Sequence, residues 1–304
     1  MVVKLSIIVS MYNKKQETLE IIDNLFFPSL INNATKEMQF ILIDDASPLS
    51  SETQKIVKKY TAQLKKLFGQ FLYLKNKTNL GFAGSYNRGM SLAIAPLILV
   101  TNDDVYFPIG SIAKLTLAAQ NDKTAGAIGP VTNCASAYQN TQLFKKLKSY
   151  SKSEIQRIEK FAIWLSKIMK GKTYSVNKLI GFCLIYKKDV LNKTGFFDTQ
   201  YIYGNTEDDD LNLKITQAGY SLKVIGDVFI EHGGIKGGHA SIMQRPVHTA
   251  IHYVLNCLKF GLAHKIFLKS LWIAYIRNPA QELGYFTITK EIEKHRKMLK
   301  EEKF

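Results

Sequence analysis

Asn102-Asp103-Asp104 stands directly after the apolar run Leu97-Ile98-Leu99-Val100. Carboxylates fixed at the end of a buried strand supply hard oxygen ligands, which suit Mg2+ or Mn2+ bridging two phosphates. Asp44-Asp45 closes a second such run, Phe40-Ile41-Leu42-Ile43. A carboxylate there can accept from a nucleobase N–H or from ribose hydroxyls. Tyr12, just past the run at residues 5–10, offers a ring for the base to stack on. One acidic pair at a strand end is ordinary capping or turn chemistry. Two on the same rim of one sheet are harder to explain that way.

Two further sets complete the chemistry. Glu207-Asp208-Asp209-Asp210 opens a helical pattern. The positive end of a helix dipole favours acids in its first turn, which accounts for one or two of the four. Glu231-His232-Gly233-Gly234 follows a strand-like run, and a histidine facing an aspartate-bearing loop is a credible metal ligand. Between these lies Asn79-Leu80-Gly81-Phe82-Ala83-Gly84-Ser85-Tyr86-Asn87-Arg88-Gly89. Its glycines match neither the G-x-G-x-x-G dinucleotide fingerprint nor a Walker A loop. They still permit close backbone approach to a ligand at a helix start, with Arg88 near phosphate.

The elements that must hold these residues follow from periodicity. Short β-branched runs at residues 5–10, 40–43, 71–74 and 97–100 alternate with helical patterns at 18–30, after Pro48, and around 90–93. Such alternation predicts an α/β fold whose mostly parallel sheet is covered on both faces. Ligands then bind beyond the carboxyl ends of the strands, where the polar residues above gather. Residues 141–178 read as a Lys-rich amphipathic insertion, with Ile155, Ile158, Phe161, Ile163, Trp164 and Ile168 at helical spacing. Residues 179–186 and 222–225 resume the strand pattern, 191–203 reads as a loop, and 207–218 as a helix. After the glycines that follow His232 the chain turns helical.

Composition narrows the class. The chain has 304 residues, 46% of them hydrophobic, which excludes intrinsic disorder, collagen and a disulfide scaffold. Its formal net charge of +16 suggests a polyanionic partner. That charge is uneven: residues 141–193 hold 13 basic and 3 acidic residues, whereas 194–258 hold 4 and 7. An acidic island in a basic chain fits a bound cation. Cys134, Cys183 and Cys257 share no metal-type spacing and read as free thiols in a reducing compartment. No charged leader precedes the first strand, and the most apolar stretch, residues 254–276, is broken by Lys259, His264, Lys265 and Lys269. A cytoplasmic protein, peripheral at most on the membrane face, is the expectation.

In this order, these elements resemble the family 2 glycosyltransferases of GT-A fold, most nearly their rhamnosyltransferase-like and galactofuranosyltransferase-like branch. The resemblance spans about residues 4–235. Its motifs are residues 6–13, 43–47, 79–84, 87–89 and 102–104, then Gly195-Phe196-Phe197-Asp198, Glu207-Asp208-Asp209-Asp210-Leu211, Ala218-Gly219-Tyr220 and His232. It implies a catalytic domain at 1–240, carrying the insertion at about 141–178, and a helical region at 241–304. It also implies roles. Ser10, Tyr12, Asp44, Gly81, Arg88, Asn102 and Asp103 would bind the nucleotide-sugar, and Asp104 with His232 would hold Mn2+ or Mg2+. Asp208 would be the general base, with Glu207 and Asp210 on the acceptor side. Asn102 stands where the D-x-D pattern has its first aspartate.

The implied reaction is an inverting transfer from a UDP- or dTDP-sugar to a glycan hydroxyl in cell-surface polysaccharide or glycoconjugate assembly. The basic flanks suit a lipid-linked acceptor or an anionic membrane, and the C-terminal helices suit a membrane-surface or homodimer contact. His248 and His252, four apart, read as core or acceptor-side residues alongside Arg245, Trp272 and Arg277. Two rivals stand: a non-catalytic sugar-nucleotide-binding relative, and a basic nucleic-acid-binding protein. The second lacks interleaved aromatics and any zinc or helix-turn-helix signature, so no nucleic-acid partner is expected.

Overall fold

A computed structural model describes residues 2–135, 137–141, 143–145, 147–201, 207–233, 288, 291 and 292. Strands β1 (Leu5–Met11), β2 (Met38–Asp44) and β4 (Leu97–Thr101) are buried along almost their whole length, as near-continuous apolar runs require. With β3 (Gln70–Lys75), β6 (Ala125–Val131), β7 (Thr173–Val176), β8 (Cys183–Lys187) and β9 (Ser221–Phe229) they form one eight-stranded sheet, ordered β3-β2-β1-β4-β8-β6-β9-β7. All run the same way except β8, which is antiparallel to β4 and β6, and β7, antiparallel to β9. Successive side chains alternate between two cores. Ile8, Ile41, Ile43 and Val100 face one, and Ile7, Val9, Phe40 and Leu42 the other.

The first crossover is interrupted. Helix α1 (Gln16–Ile21) passes through a π turn (Ile22–Phe26) into α2 (Phe27–Asn33). Pro28 directly follows the π turn, and inside this continuous helical run its missing N–H removes one helical bond where the pairing pattern changes. Helix α3 (Ser50–Leu67) leads into β3, and α4 (Gly81–Ser91) leads into β4. After β4 the chain forms the short strand β5 (Val105–Tyr106) and helix α5 (Ser111–Asn121).

The basic insertion does hold a helix, α6 (Lys152–Ile168), which buries Ile158, Phe161, Trp164 and Leu165. Phe161 packs edge-on to Phe229 of β9, at 4.8 Å between centroids. The segment then supplies β7, so part of what reads as an insertion is the last strand of the sheet. Two expectations shift. The strand pattern at 179–186 begins pairing only at Cys183, and the loop expected from 191 is preceded by helix α7 (Lys188–Thr194). Helix α8 (Glu207–Gln217) forms where its acidic start predicts, and β10 (Glu231–His232) pairs antiparallel with β5. Cys134 and Cys183 are free thiols. Cys257, Arg245, His248, His252, Trp272, Arg277 and the helical region expected at 241–304 lie outside the described residues, apart from Ile288, Glu291 and Ile292.

Candidate active site

The polar residues gather at the carboxyl ends of the strands. β5 and β10 act as a two-stranded ribbon that opposes Val105 to His232 and Tyr106 to Glu231. Gly233 N–H donates to the Asp104 carbonyl at 2.9 Å, extending the pairing by one step. The ribbon brings the His232 Nε2 to 3.4 Å from Asp104 Oδ1 and 3.3 Å from the Asn102 amide nitrogen. His232 Nδ1 lies 2.5 Å from the Cys134 carbonyl, which can only accept, so Nδ1 carries the proton. In neutral His232 that leaves an Nε2 lone pair directed at Asp104. Asn133 fixes the backbone on either side, accepting from His232 N–H at 2.9 Å and donating to its carbonyl at 3.3 Å.

Phe182 completes this wall. Its ring stacks on the His232 imidazole at 4.7 Å and 19°. Its carbonyl accepts from Asn102 N–H at 2.8 Å and from the Thr101 hydroxyl at 3.1 Å. The preceding residue, Gly181, donates its N–H to Asp208 Oδ2 at 2.8 Å. A Cβ added at Gly181 would stand 3.3 Å from Asp208 Cβ, a contact tight enough to push the helix start away by a few tenths of an ångström. One dipeptide thus joins the acidic helix to the Asn102–Asp104 loop and to His232.

The four acids of α8 separate into distinct environments. Asp208 is held by the Gly181 and Asp209 amides. Asp209 is buried in an ion pair with Lys178 at 2.8 Å, and Asp210 pairs with Lys214 at 2.7 Å. Glu207 is buried. Asn212 donates to the Leu179 carbonyl at 2.7 Å, so residues 178–181 are strapped to α8 at three points. None of Lys178, Gly181, Phe182 or Asn133 belongs to a residue pattern that announces a site in sequence. Only their contacts identify them.

Burial pushes Asp103 up to about 7, and the Asp104 charge adds to it. Glu231 also rises to about 7, through burial first. Burial pulls His232 down, but Asp104 and the Cys134 carbonyl outweigh it and the net shift is upward. Burial thus chiefly favours the neutral forms of Asp103 and Glu231, while the net upward shift of His232 reflects the neighbouring negative charge of Asp104.

The residues expected to bind a nucleotide lie at the adjoining strand ends and on α4. Ser10 lies near the end of β1 and Tyr12 just past it, with Lys14 4.6 Å above the exposed Tyr12 ring. Asp44 is buried, accepting from Ser47 N–H at 2.9 Å and from the Tyr73 hydroxyl at 3.4 Å. Asp45 accepts from Asn76 at 2.6 Å and from Leu80 N–H at 2.8 Å, fixing the loop that opens α4. Gly81 there has φ +70°, a conformation side chains disfavour. Arg88 donates to the Lys75 carbonyl at 3.0 Å and to the Asn76 side chain, so its guanidinium braces the same loop. Asn87 exchanges two bonds with the Phe197 backbone, joining α4 to the segment after Gly195.

As a metal site, the donor set is one carboxylate and one imidazole oriented by a carbonyl, a combination suited to Mn2+ and, less well, Mg2+. Among the described residues no group of three or more His, Cys, Asp or Glu side chains gathers at one point. Two protein ligands fit an ion that takes its remaining oxygens from substrate phosphates and water.

A family model described as Glycosyl transferase family 2 matches residues 6–195. Among solved structures the chain is similar to the mannosyltransferase PcManGT from Pyrobaculum calidifontis, in complex with GDP-Man and Mn2+. The TM-score is 0.62 and the identity 17%, over 97% of this chain and 76% of that one. It is similar to GalNAc-T7 with UDP, GalNAc and Mn2+ at a TM-score of 0.57 and 16% identity, over 97% of this chain and 55% of that one. For residues 1–349 of TarS from S. aureus the figures are 0.56 and 17%, over 91% and 74%. No curated protein sequence matches the chain.

Proposed function

The chain belongs to glycosyl transferase family 2 and has the GT-A fold, and on that premise we propose an inverting, metal-dependent transfer of a sugar from a nucleoside diphosphate to a glycan hydroxyl. The observation that carries this reading is the facing of His232 Nε2 and Asp104 Oδ1 across 3.4 Å, beside the loop that holds Asp103. Asp104 and His232 are the residues that would hold Mn2+ or Mg2+, which supplies Lewis-acid neutralisation of the charge growing on the leaving diphosphate. Ser10, Tyr12, Asp44 and Asn102 bind the nucleoside and ribose, with Gly81 and Arg88 shaping the loop beside them.

Asp208 takes the proton from the acceptor hydroxyl as it attacks C1 on the face opposite the leaving group. The Gly181 amide holds one of its oxygens and the Asp209 amide bonds the other, which fixes the carboxylate plane. Glu207 and Asp210 lie on the acceptor side. UDP, dTDP and GDP donors share the features recognised here, and GDP-Man and UDP are the nucleotides named for the similar structures.

The test is release of nucleoside diphosphate from a panel of UDP-, dTDP- and GDP-sugars, with and without Mn2+. A metal-dependent turnover of at least one donor is expected, with inverted anomeric configuration by NMR. Asp208→Asn should lower turnover by about 10²–10⁴-fold while nucleotide binding, read by calorimetry, is kept. Binding without turnover across the whole panel would leave a sugar-nucleotide-binding protein instead, and a retained anomer would remove the inverting step.

A further inference from the structure

Helix α6 begins at Ser151, whose hydroxyl accepts from Glu154 N–H, and turns Ile158, Phe161, Trp164 and Leu165 inward. Its outer side reads Gln156, Lys160, Ile163 and Lys167, spaced four, three and four apart, with Lys170 just beyond its end; all five are exposed. Next to it α5 exposes Ala113, Lys114 and Leu117, preceded by exposed Ile109.

Two ties join the helices. The Glu159 carboxylate accepts from Ile109 N–H at 3.2 Å and from the Tyr106 hydroxyl at 2.7 Å, and Lys114 donates to the Ser166 hydroxyl. Ile163 stands one helical turn from both ties. Three large aliphatic side chains are thereby left in water, Ile109 71%, Leu117 56% and Ile163 55% exposed, with lysines around them. A shallow groove of about 120 Å³ lined by Lys160, Ile163, Trp164 and Lys167 runs along the patch. Among the described residues none of Lys114, Lys160, Lys167 and Lys170 is in an ion pair. Glu159 is directed back at Ile109 and Tyr106.

From this we infer that the outer faces of α5 and α6 dock on the headgroup layer of an anionic phospholipid bilayer. Lysines gain from the negative surface potential, and aliphatic side chains gain by entering the headgroup–acyl boundary. A single-stranded nucleic acid would instead gain from aromatic platforms for its bases, and the exposed apolar residues here are aliphatic, which phosphates do not use. The surface begins at Ile109, five positions after Asp104, so docking holds the rim of the site near the bilayer. The surface stands apart from the transfer reading, because its test uses neither donor nor metal.

The test is co-sedimentation of the full chain with vesicles of phosphatidylcholine alone or with about a third phosphatidylglycerol. The chain is expected on the anionic vesicles, releasing as salt rises. Lys160→Gln with Lys167→Gln should weaken partitioning by about thirtyfold and flatten the salt dependence. Leu117→Ser with Ile163→Ser should weaken it by about tenfold and leave the salt dependence as it was. All four substitutions are at exposed positions, and circular dichroism checks that the fold is retained. Partitioning that ignores lipid charge, or that survives both pairs of substitutions, overturns the proposal. So does a patch-dependent affinity for a single-stranded oligonucleotide in a chain that ignores both vesicles.

Discussion

Asp208 and Asp209 are neighbours in the chain with opposite surroundings. One presents its carboxylate to backbone amides beside the site; the other is buried against Lys178. Burial raises Asp209 to about 6 even with Lys178 drawing it down. Breaking a buried pair by removing one partner leaves an uncompensated charge, so Lys178→Met should cost about 3–5 kcal/mol near pH 8. With the ammonium gone the folded-state pKa of Asp209 climbs further while the unfolded value stays. The deficit is therefore smallest below the unfolded pKa and grows as pH rises through the folded one. Urea midpoints taken from pH 5 to pH 8 read this directly, and Lys178→Met with Asp209→Asn should recover most of the loss. Asp44, Asp104 and Asp208 are legible in sequence as candidates, because residue type and position coincide at element ends. Lys178 is not, since one lysine in a lysine-rich segment carries no signal until its partner across 31 positions is known.

Elements differ in how openly they declare themselves. β1, β2 and β4 are apolar along most of their length and read correctly to within a residue or two. β6 is hidden, because Ala125-Gly126-Ala127-Ile128-Gly129-Pro130-Val131 has the composition of a turn. Its glycines answer to neighbours: a Cβ at Gly126 would meet Ile215 at 2.5 Å, and one at Gly129 would meet Leu184 at 2.7 Å. Strand β7 is hidden by its lysine-rich setting, and the β5–β10 ribbon because two residues a side are too few for any periodicity. That ribbon nonetheless sets the His232–Asp104 geometry of the proposed metal site, with Asn133 bracing it. Asn133→Ala should weaken Mn2+ binding by about 10–100-fold, as loss of an orienting partner does. Electron paramagnetic resonance of free Mn2+, in the presence of a nucleoside diphosphate, checks it.

At the scale of the molecule, one sheet with a core on each face, ordered β3-β2-β1-β4-β8-β6-β9-β7, carries Ser10 and Asp44 at its strand ends, while α4, α8 and the β5–β10 ribbon bring in the other candidate residues. Alternating strands and helices made the α/β class readable, whereas the reversal of β8 between β4 and β6 depends on pairings that no local pattern encodes. Because the proposed cation site has, among the described residues, one carboxylate and one imidazole, Mn2+ alone should move the thermal midpoint little. Mn2+ with a nucleoside diphosphate at a hundredfold excess over its Kd should add about 2.7 kcal/mol. Differential scanning calorimetry with each ligand separately and together distinguishes the cases. Asn102 and His232 stand 130 positions apart in the chain. Closing so long a loop costs ~2 kcal/mol more than closing one of ten residues. The ribbon and the Phe182 stack bear that cost through their own pairing and packing. This closure is therefore held without an ion, and on the proposed metal-dependent reading a chelator should abolish turnover while leaving the fold standing.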